Sequence, residues 1–217
     1  LKTELEKQGH AVFIFTTTDK DGVVEMEFSL NSEKLRGKDT VVYEKLYRVV
    51  DGKEIELTSH EDINDEGQTV HFPDIKTTLT DKVTNSHNAL AGEKTTLVDK
   101  VKYSNLIVGK KYTMTGTLMN KSTKAPVLDK NQKPITASQE FTADKTDGFV
   151  DITFEFDSSA YVGKTLVAFE SLKRDKIDLV THADINDEAQ TVYFPQIKTS
   201  LQSDKSLKSA LAAEKTT

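Results

Sequence analysis

The sequence predicts an all-β protein of tandem two-sheet sandwiches, and three observations predict it. The chain repeats itself, its apolar residues alternate in short runs, and turn residues separate those runs. The repeat is plainest between His60–Thr80 (HEDINDEGQTVHFPDIKTTLT) and His182–Gln202 (HADINDEAQTVYFPQIKTSLQ), identical at 15 of 21 positions with an offset of 122. Upstream, VVYEKL (Val41–Leu46) matches VAFESL (Val167–Leu172), and FTTTDKDGVVEMEFSL (15–30) matches FTADKTDGFVDITFEF (141–156), at an offset of 126. The four extra residues of the first copy fall in a hairpin around Val49–Glu56. A third copy opens with IKTSLQSDKSLKSALAAEKTT (197–217), parallel to IKTTLTDKVTNSHNALAGEKTT (75–96). Residues 75–196 thus read as one complete repeat, 1–74 as the back part of a preceding one, and 197–217 as the front of a following one. The chain is expected to be a window on a longer array.

Within the complete repeat, strands are expected near Ile75–Asp81, Thr95–Tyr103, Lys111–Met119, Ile135–Thr142, Phe149–Phe156, Thr165–Leu172, Ile177–His182 and Gln190–Phe194. Each is rich in Val, Ile, Thr, Phe or Tyr and alternates with period two. Val108-Gly109-Lys110, Thr146-Asp147-Gly148 and the Asp184–Glu188 run mark turns, and Ser158–Val162 a short helical turn. Eight short strands in one repeat suit two packed sheets.

Composition narrows the function. Thirty-five acidic residues outweigh 29 basic ones, for a net charge of −6, and no basic run stands out. That excludes a nucleic-acid footprint. No apolar stretch is long enough for a membrane-spanning helix, and no leader pattern opens the chain. The 10 Phe and 6 Tyr sit inside the alternating runs, which argues against disorder. With no Cys there is no disulfide, no thiol nucleophile and no Cys-bound metal. Any covalent staple must come from other chemistry.

Side-chain parity is the informative test, because alternate strand residues share a face. Thr77 lies on the face of Ile75 and Leu79, and Asp99 on that of Leu97, Val101 and Tyr103. Glu170 goes with Leu166, Ala168 and Leu172, and Gln190 with Val192 and Phe194. His182 shares a parity with Val180. Buried polar and charged groups are costly unless they meet partners. The same types recur in the neighbouring copies at Glu44, His60, Gln68 and Thr199. Their repetition argues that these groups meet one another.

These residues carry a resemblance. VAFESL, THADINDEAQTVYFP, the opening IKTTLTDK and LVDKVKYSNL closely resemble the Thr–Gln ester-bond domains, or VaFE repeats, of Gram-positive surface adhesins. The resemblance covers 75–196 and both flanking fragments. It implies tandem immunoglobulin-like β-sandwich domains with intramolecular Thr–Gln ester cross-links. It further implies that Thr77 and Gln190 form the cross-link, assisted by Asp99, Glu170 and His182. His182 is then the natural group to orient or deprotonate the Thr77 hydroxyl. Asp99 and Glu170, two carboxyls in a low dielectric, share a proton. The reaction is autocatalytic and single-turnover, releases ammonia and needs no cofactor. The implied place is the cell surface, anchored to the cell wall, with neighbouring repeats as partners and a host ligand bound by another domain.

Rival readings are a ligand-binding sandwich without cross-link, a Lys–Asn/Asp isopeptide sandwich, and a hydrolase with a Thr or His centre. Lys76 has the outward parity, which disfavours an isopeptide on the first strand. DINDEG (62–67) and DINDEA (184–189) resemble half of a calcium loop but lack its spacing and terminal Glu, and read as turns. Asn120-Lys121-Ser122 fits a glycosylation sequon without further support. His10, His71 and His87 have no metal-ligand spacing, so no metal site is expected.

Overall fold

The computed structural model describes residues 10–201. They fall into two units, divided between Arg36 and Gly37. The first, residues 10–36, carries one 3-10 turn, Glu33–Leu35. Its alternating segment 22–28, the counterpart of 148–154, forms no strand. A strand needs a ladder partner. The partner segment of that counterpart, Thr95–Ser104, has no equivalent ahead of residue 22 in this sequence.

The second unit begins with four strands of the preceding copy: β1 (Lys38–Val41), β2 (Glu44–Val50), β3 (Lys53–His60) and β4 (Thr69–Phe72). β2 and β3 form a hairpin, while β1 pairs with β4. The hairpin shows where the four extra residues went. In both copies a register shift falls two residues after the shared Glu, between Leu46/Tyr47 and between Leu172/Lys173. Beyond it the first copy simply runs two residue pairs further.

The complete repeat supplies β5 (Asp74–Asp81), β6 (Thr95–Ser104), β7 (Lys111–Asn120), β8 (Ala125–Pro126), β9 (Thr136–Thr142), β10 (Gly148–Phe156), β11 (Thr165–Arg174), β12 (Ile177–His182) and β13 (Thr191–Tyr193). One sheet has the order β10-β6-β5. The other runs β12-β11-β7-β8, with β9 also on β7 and β13 also on β11. First, second and fifth long strands in one sheet, with the third, sixth and seventh in the other, is the immunoglobulin arrangement. The two-residue β8 was not foreseen: it is too short for period two, and it contains Pro126. Ser159–Tyr161 forms the expected helical turn.

The core lies between the sheets, built from Leu79, Leu97, Val101, Met114, Leu118, Ile152, Phe154, Leu166, Leu172 and Phe194 among others. β5 and β6 alternate buried and exposed almost without fault, as parity requires. Gly116 on β7 makes room for this core: a Cβ there would stand 2.6 Å from Phe154 Cζ and 3.2 Å from Ile152 Cγ2. Phe154 and Ile152 are both fully buried and have nowhere to go. Gly116→Ala should therefore cost about 1–3 kcal/mol by overpacking, read as a lowered denaturation midpoint. Gly116 also lies directly opposite Glu170 in the β7–β11 register, so the strain would reach the polar cluster described next.

The edges of the two sheets meet along β5. The Leu79 amide donates to the Ala189 carbonyl at 2.9 Å. The loop after β5 extends this seam: Tyr193 N donates to His87 O at 2.7 Å and Ala89 N to Tyr193 O at 2.8 Å. The last strand is thereby held between β11 and residues 87–89. No helix among the described residues is long and apolar enough to cross a membrane.

Candidate functional site

Four polar side chains lie inside the sandwich: Thr77 on β5 (5% exposed), Asp99 on β6 (0%), Glu170 on β11 (2%) and Gln190 just ahead of β13 (0%). All four are on the faces that parity assigns them. Gln190 itself is not in the strand. The turn that closes with Thr191 N donating to Glu188 O takes up its backbone, so the strand starts one residue later than expected.

Each sheet brings one pair together. Thr77 and Asp99 are diagonal neighbours on β5 and β6, where Leu79 is directly opposite Asp99. The Thr77 hydroxyl donates to Asp99 Oδ1 at 2.6 Å. In the other sheet the Gln190 side-chain amide donates to Glu170 Oε2, and the Ala168 amide donates to the Gln190 carbonyl at 3.0 Å. The two pairs meet across the sandwich, where the Asp99 and Glu170 carboxyls stand close enough to interact. The carboxyl pair thus links the second and sixth strands, which in antibody domains carry the disulfide.

Two carboxyls can share a hydrogen bond only if one is protonated. Burial, and then the charge of Asp99, push the Glu170 pKa up to about 11. Burial also raises Asp99, opposed by its hydrogen bonds with Glu170 and Thr77 and by the charge of His182. Glu170 therefore keeps its proton at neutral pH.

Unpaired atoms mark the same place. Among the described residues, the buried side-chain atoms without a conventional partner are Asp99 Oδ2, Glu170 Oε1, Gln190 Oε1 and Gln68 Oε1. The first two belong to the carboxyl pair itself. The side-chain carbonyl oxygens of Gln190 and Gln68 have no donor, and an unsatisfied buried carbonyl in a native fold calls for a reason.

His182 stands at the rim, opposite Glu170 in the β11–β12 register. Its Nδ1 faces the Ile75 carbonyl at 3.3 Å, and its Nε2 pairs with Asp187 Oδ2 at 2.9 Å. The hydrogen-bond acceptor at Thr77 is thus Asp99, while His182 reaches the site through its charge on Asp99. The register explains this, since β6 is the immediate neighbour of β5 within one sheet. The Ile75–His182 and Leu79–Ala189 contacts bracket Thr77 and draw the Gln190 segment against β5.

Asp187 escaped the sequence reading, which took DINDEA for a turn only. It is a turn: Asp187 Oδ1 accepts from Ala189 N at 2.8 Å, and Asp187 O accepts from the Thr191 hydroxyl at 2.6 Å. Its second carboxylate oxygen holds His182. The signal was present in the repeat, because His60 and Asp65 have the same spacing.

The preceding copy confirms the pattern of contacts. Glu44 is opposite His60, the Gln68 amide donates to Glu44 Oε2, and His60 Nε2 pairs with Asp65 Oδ2 at 3.0 Å. Here Glu44 and His60 are exposed. Thr199 of the following copy lies in an exposed, irregular stretch. Among the described residues, no cluster of three or more His, Asp or Glu side chains is arranged to hold a metal. An open groove lined by Lys111, Tyr112, Glu140 and Lys173 shares no residue with the cluster.

Solved structures similar to this chain include a bacterial adhesin from Mobiluncus mulieris containing intramolecular disulfide, isopeptide and ester bond cross-links. In two crystal forms it aligns at 16% identity over 57% of each chain, with TM-scores of 0.45 and 0.46. The chain therefore spans a little over half the length of that adhesin. A glycosyl hydrolase family 2 member from Bacteroides cellulosilyticus aligns at 15% identity over 49% of this chain and 14% of its own, with a TM-score of 0.34. The family described as T-Q ester bond containing domain matches twice in tandem, at residues 2–72 and 73–194. It is a family of self-cross-linking domains and not of enzymes that turn over a substrate. The chain belongs to the T-Q ester bond domain family.

Proposed function

We propose that folding joins Thr77 Oγ1 to the side-chain carbon of Gln190 as an ester, and that the chain is a stalk segment of a bacterial cell-surface adhesin or fibre. One observation carries the reading: the buried chain of contacts Thr77–Asp99–Glu170–Gln190 links nucleophile and electrophile through a dyad with one proton.

The chemistry balances within that chain. Thr77 Oγ1 attacks the Gln190 carboxamide carbon, and Asp99, already its acceptor, takes the hydroxyl proton. Glu170, neutral and in contact with the amide nitrogen, gives its proton to that nitrogen as the C–N bond breaks. Ammonia leaves, the C–O bond remains, and the dyad still holds one proton, now on Asp99. The net charge of the buried pair never changes, which avoids a large desolvation cost. His182, held by Asp187, stabilises the Asp99 charge before the transfer. Proximity imposed by folding substitutes for chemical activation, and exclusion of water protects the product. Glu44, His60 and Gln68 occupy the equivalent positions in the preceding copy, and Thr199 in the following one.

The cross-link ties the first strand of the repeat to its last. Tension entering at Asp74 crosses at Thr77 to Gln190 and leaves past Phe194, bypassing residues 78–189. That suits a load-bearing, protease-resistant stalk at the cell surface, anchored to the wall and presenting a ligand-binding domain located elsewhere.

Intact-mass measurement of the folded chain tests this. Only the middle copy contains Thr77, Asp99, Glu170, His182 and Gln190 together, so the chain should be lighter than its sequence by one ammonia. Thr77→Ala or Gln190→Ala should restore the full mass. An unshifted mass in the folded parent would sink the proposal.

A further inference from the structure

β4 of the preceding copy passes through Pro73 directly into β5, so the two copies meet where β1 and β4 end against the loop after β6. That loop turns at Asn105, whose φ of 61° is left-handed, a conformation that Asn tolerates better than most residues. The Asn105 backbone amide is fixed within its own repeat, donating to Asp147 Oδ1 at 2.9 Å. Its side chain reaches the other copy. Nδ2 donates to the Lys38 carbonyl at 2.9 Å and to Asp39 Oδ1 at 2.7 Å, and lies 3.4 Å from the Phe72 carbonyl. The same Asp39 oxygen meets His71 Nδ1 at 2.8 Å, tying β1 to β4. One side-chain amide thus gathers both terminal strands of the preceding copy.

We infer that the loop after β6 is a docking face for the base of the preceding repeat, with Asn105 as its anchor. Neighbouring repeats then meet in a built joint that fixes their orientation, not in a free hinge. Residues 37–72 and the complete repeat accordingly belong to one compact unit. The joints of the array are not all alike. The contact Gly37 N to Phe72 O recurs as Gly163 N to Phe194 O, each at 2.7 Å. At the downstream end, however, Thr165 stands in place of Asp39 and Tyr193 in place of His71. The Tyr193 hydroxyl bonds Glu188 instead. The acidic acceptor for an Asn anchor is therefore particular to the upstream joint.

The test is amide hydrogen exchange on the full chain. Asn105→Gly keeps the left-handed turn without strain and removes only the side chain. Loss of hydrogen bonds to a charged and a neutral acceptor should speed exchange in residues 37–41 and 69–72 by about tenfold or more, while β6 and β7 stay protected. Asp39→Ala, which also loses the His71 contact between β1 and β4, should accelerate the same residues, and the double variant less than the product of the two. Unchanged exchange at the joint overturns the inference, as does acceleration spread equally through β5, β6 and β7. The inference is independent of the ester. Intact mass on the same samples reports the cross-link separately.

Discussion

Thr77→Val is expected to lower the unfolding free energy of the complete repeat by about 4–5 kcal/mol, since the ester closes a loop of about 113 residues whose freedom in the unfolded chain returns when it is absent. Val preserves the β-branched shape on the core face, so no cavity is opened. For a repeat of this size the midpoint of thermal unfolding should fall by roughly 15–20 °C. Thr77→Ser is the control: it restores a hydroxyl at the same place, and should recover both the missing ammonia and most of the stability. Calorimetry alongside intact mass measures both. A Val variant as stable as the parent would refute the mechanical role of the bond.

Glu170→Gln is expected to fold and to slow cross-linking by about 10²–10⁴-fold, the usual contribution of a positioned acid. Gln is neutral like the protonated acid and can still hydrogen-bond Asp99, but it has no proton to give to the departing nitrogen. In the parent, the rate of ester formation on refolding should be bell-shaped in pH. It rises as Asp99 loses its proton, and falls as Glu170 loses its own near its raised pKa of about 11. The same shift makes a statement about stability before the bond forms. Glu170 holds its proton more tightly when folded, so its contribution is complete below the ordinary value of 4.5 and is lost progressively as pH rises toward about 11. Unlinked Thr77→Val should therefore weaken with rising pH across that window, and adding Glu170→Gln should flatten the slope. Normal cross-linking in Glu170→Gln would remove the residue from the proton path while leaving the ester itself in place.

The chemical part of the site was legible because period two is so strict a rule. A polar residue among Ile75 and Leu79, or among Leu97 and Val101, can only face inward. One half of the cluster is also local. Glu170, His182, Asp187 and Gln190 come from one hairpin and the turn after it, so the preceding copy rebuilds the same contacts with Glu44, His60, Asp65 and Gln68 although Glu44 and His60 are exposed there. Even Asp187 could have been found, from the recurrence of its spacing to His182.

The residue patterns determined the strand faces, the repeat, the turns and the identity of the polar core. They argued that these polar groups meet, but did not determine which group serves Thr77. Asp99 and Glu170 belong to different sheets, 71 positions apart in the chain, and only the packing of one sheet on the other brings them into contact. The upward shift of both carboxyls follows from that burial, since neither would be perturbed in water. Strand formation itself showed the same dependence. The segment 22–28 alternates as its counterpart in β10 does, yet stays irregular, because backbone donors and acceptors become a strand only when a neighbour accepts them.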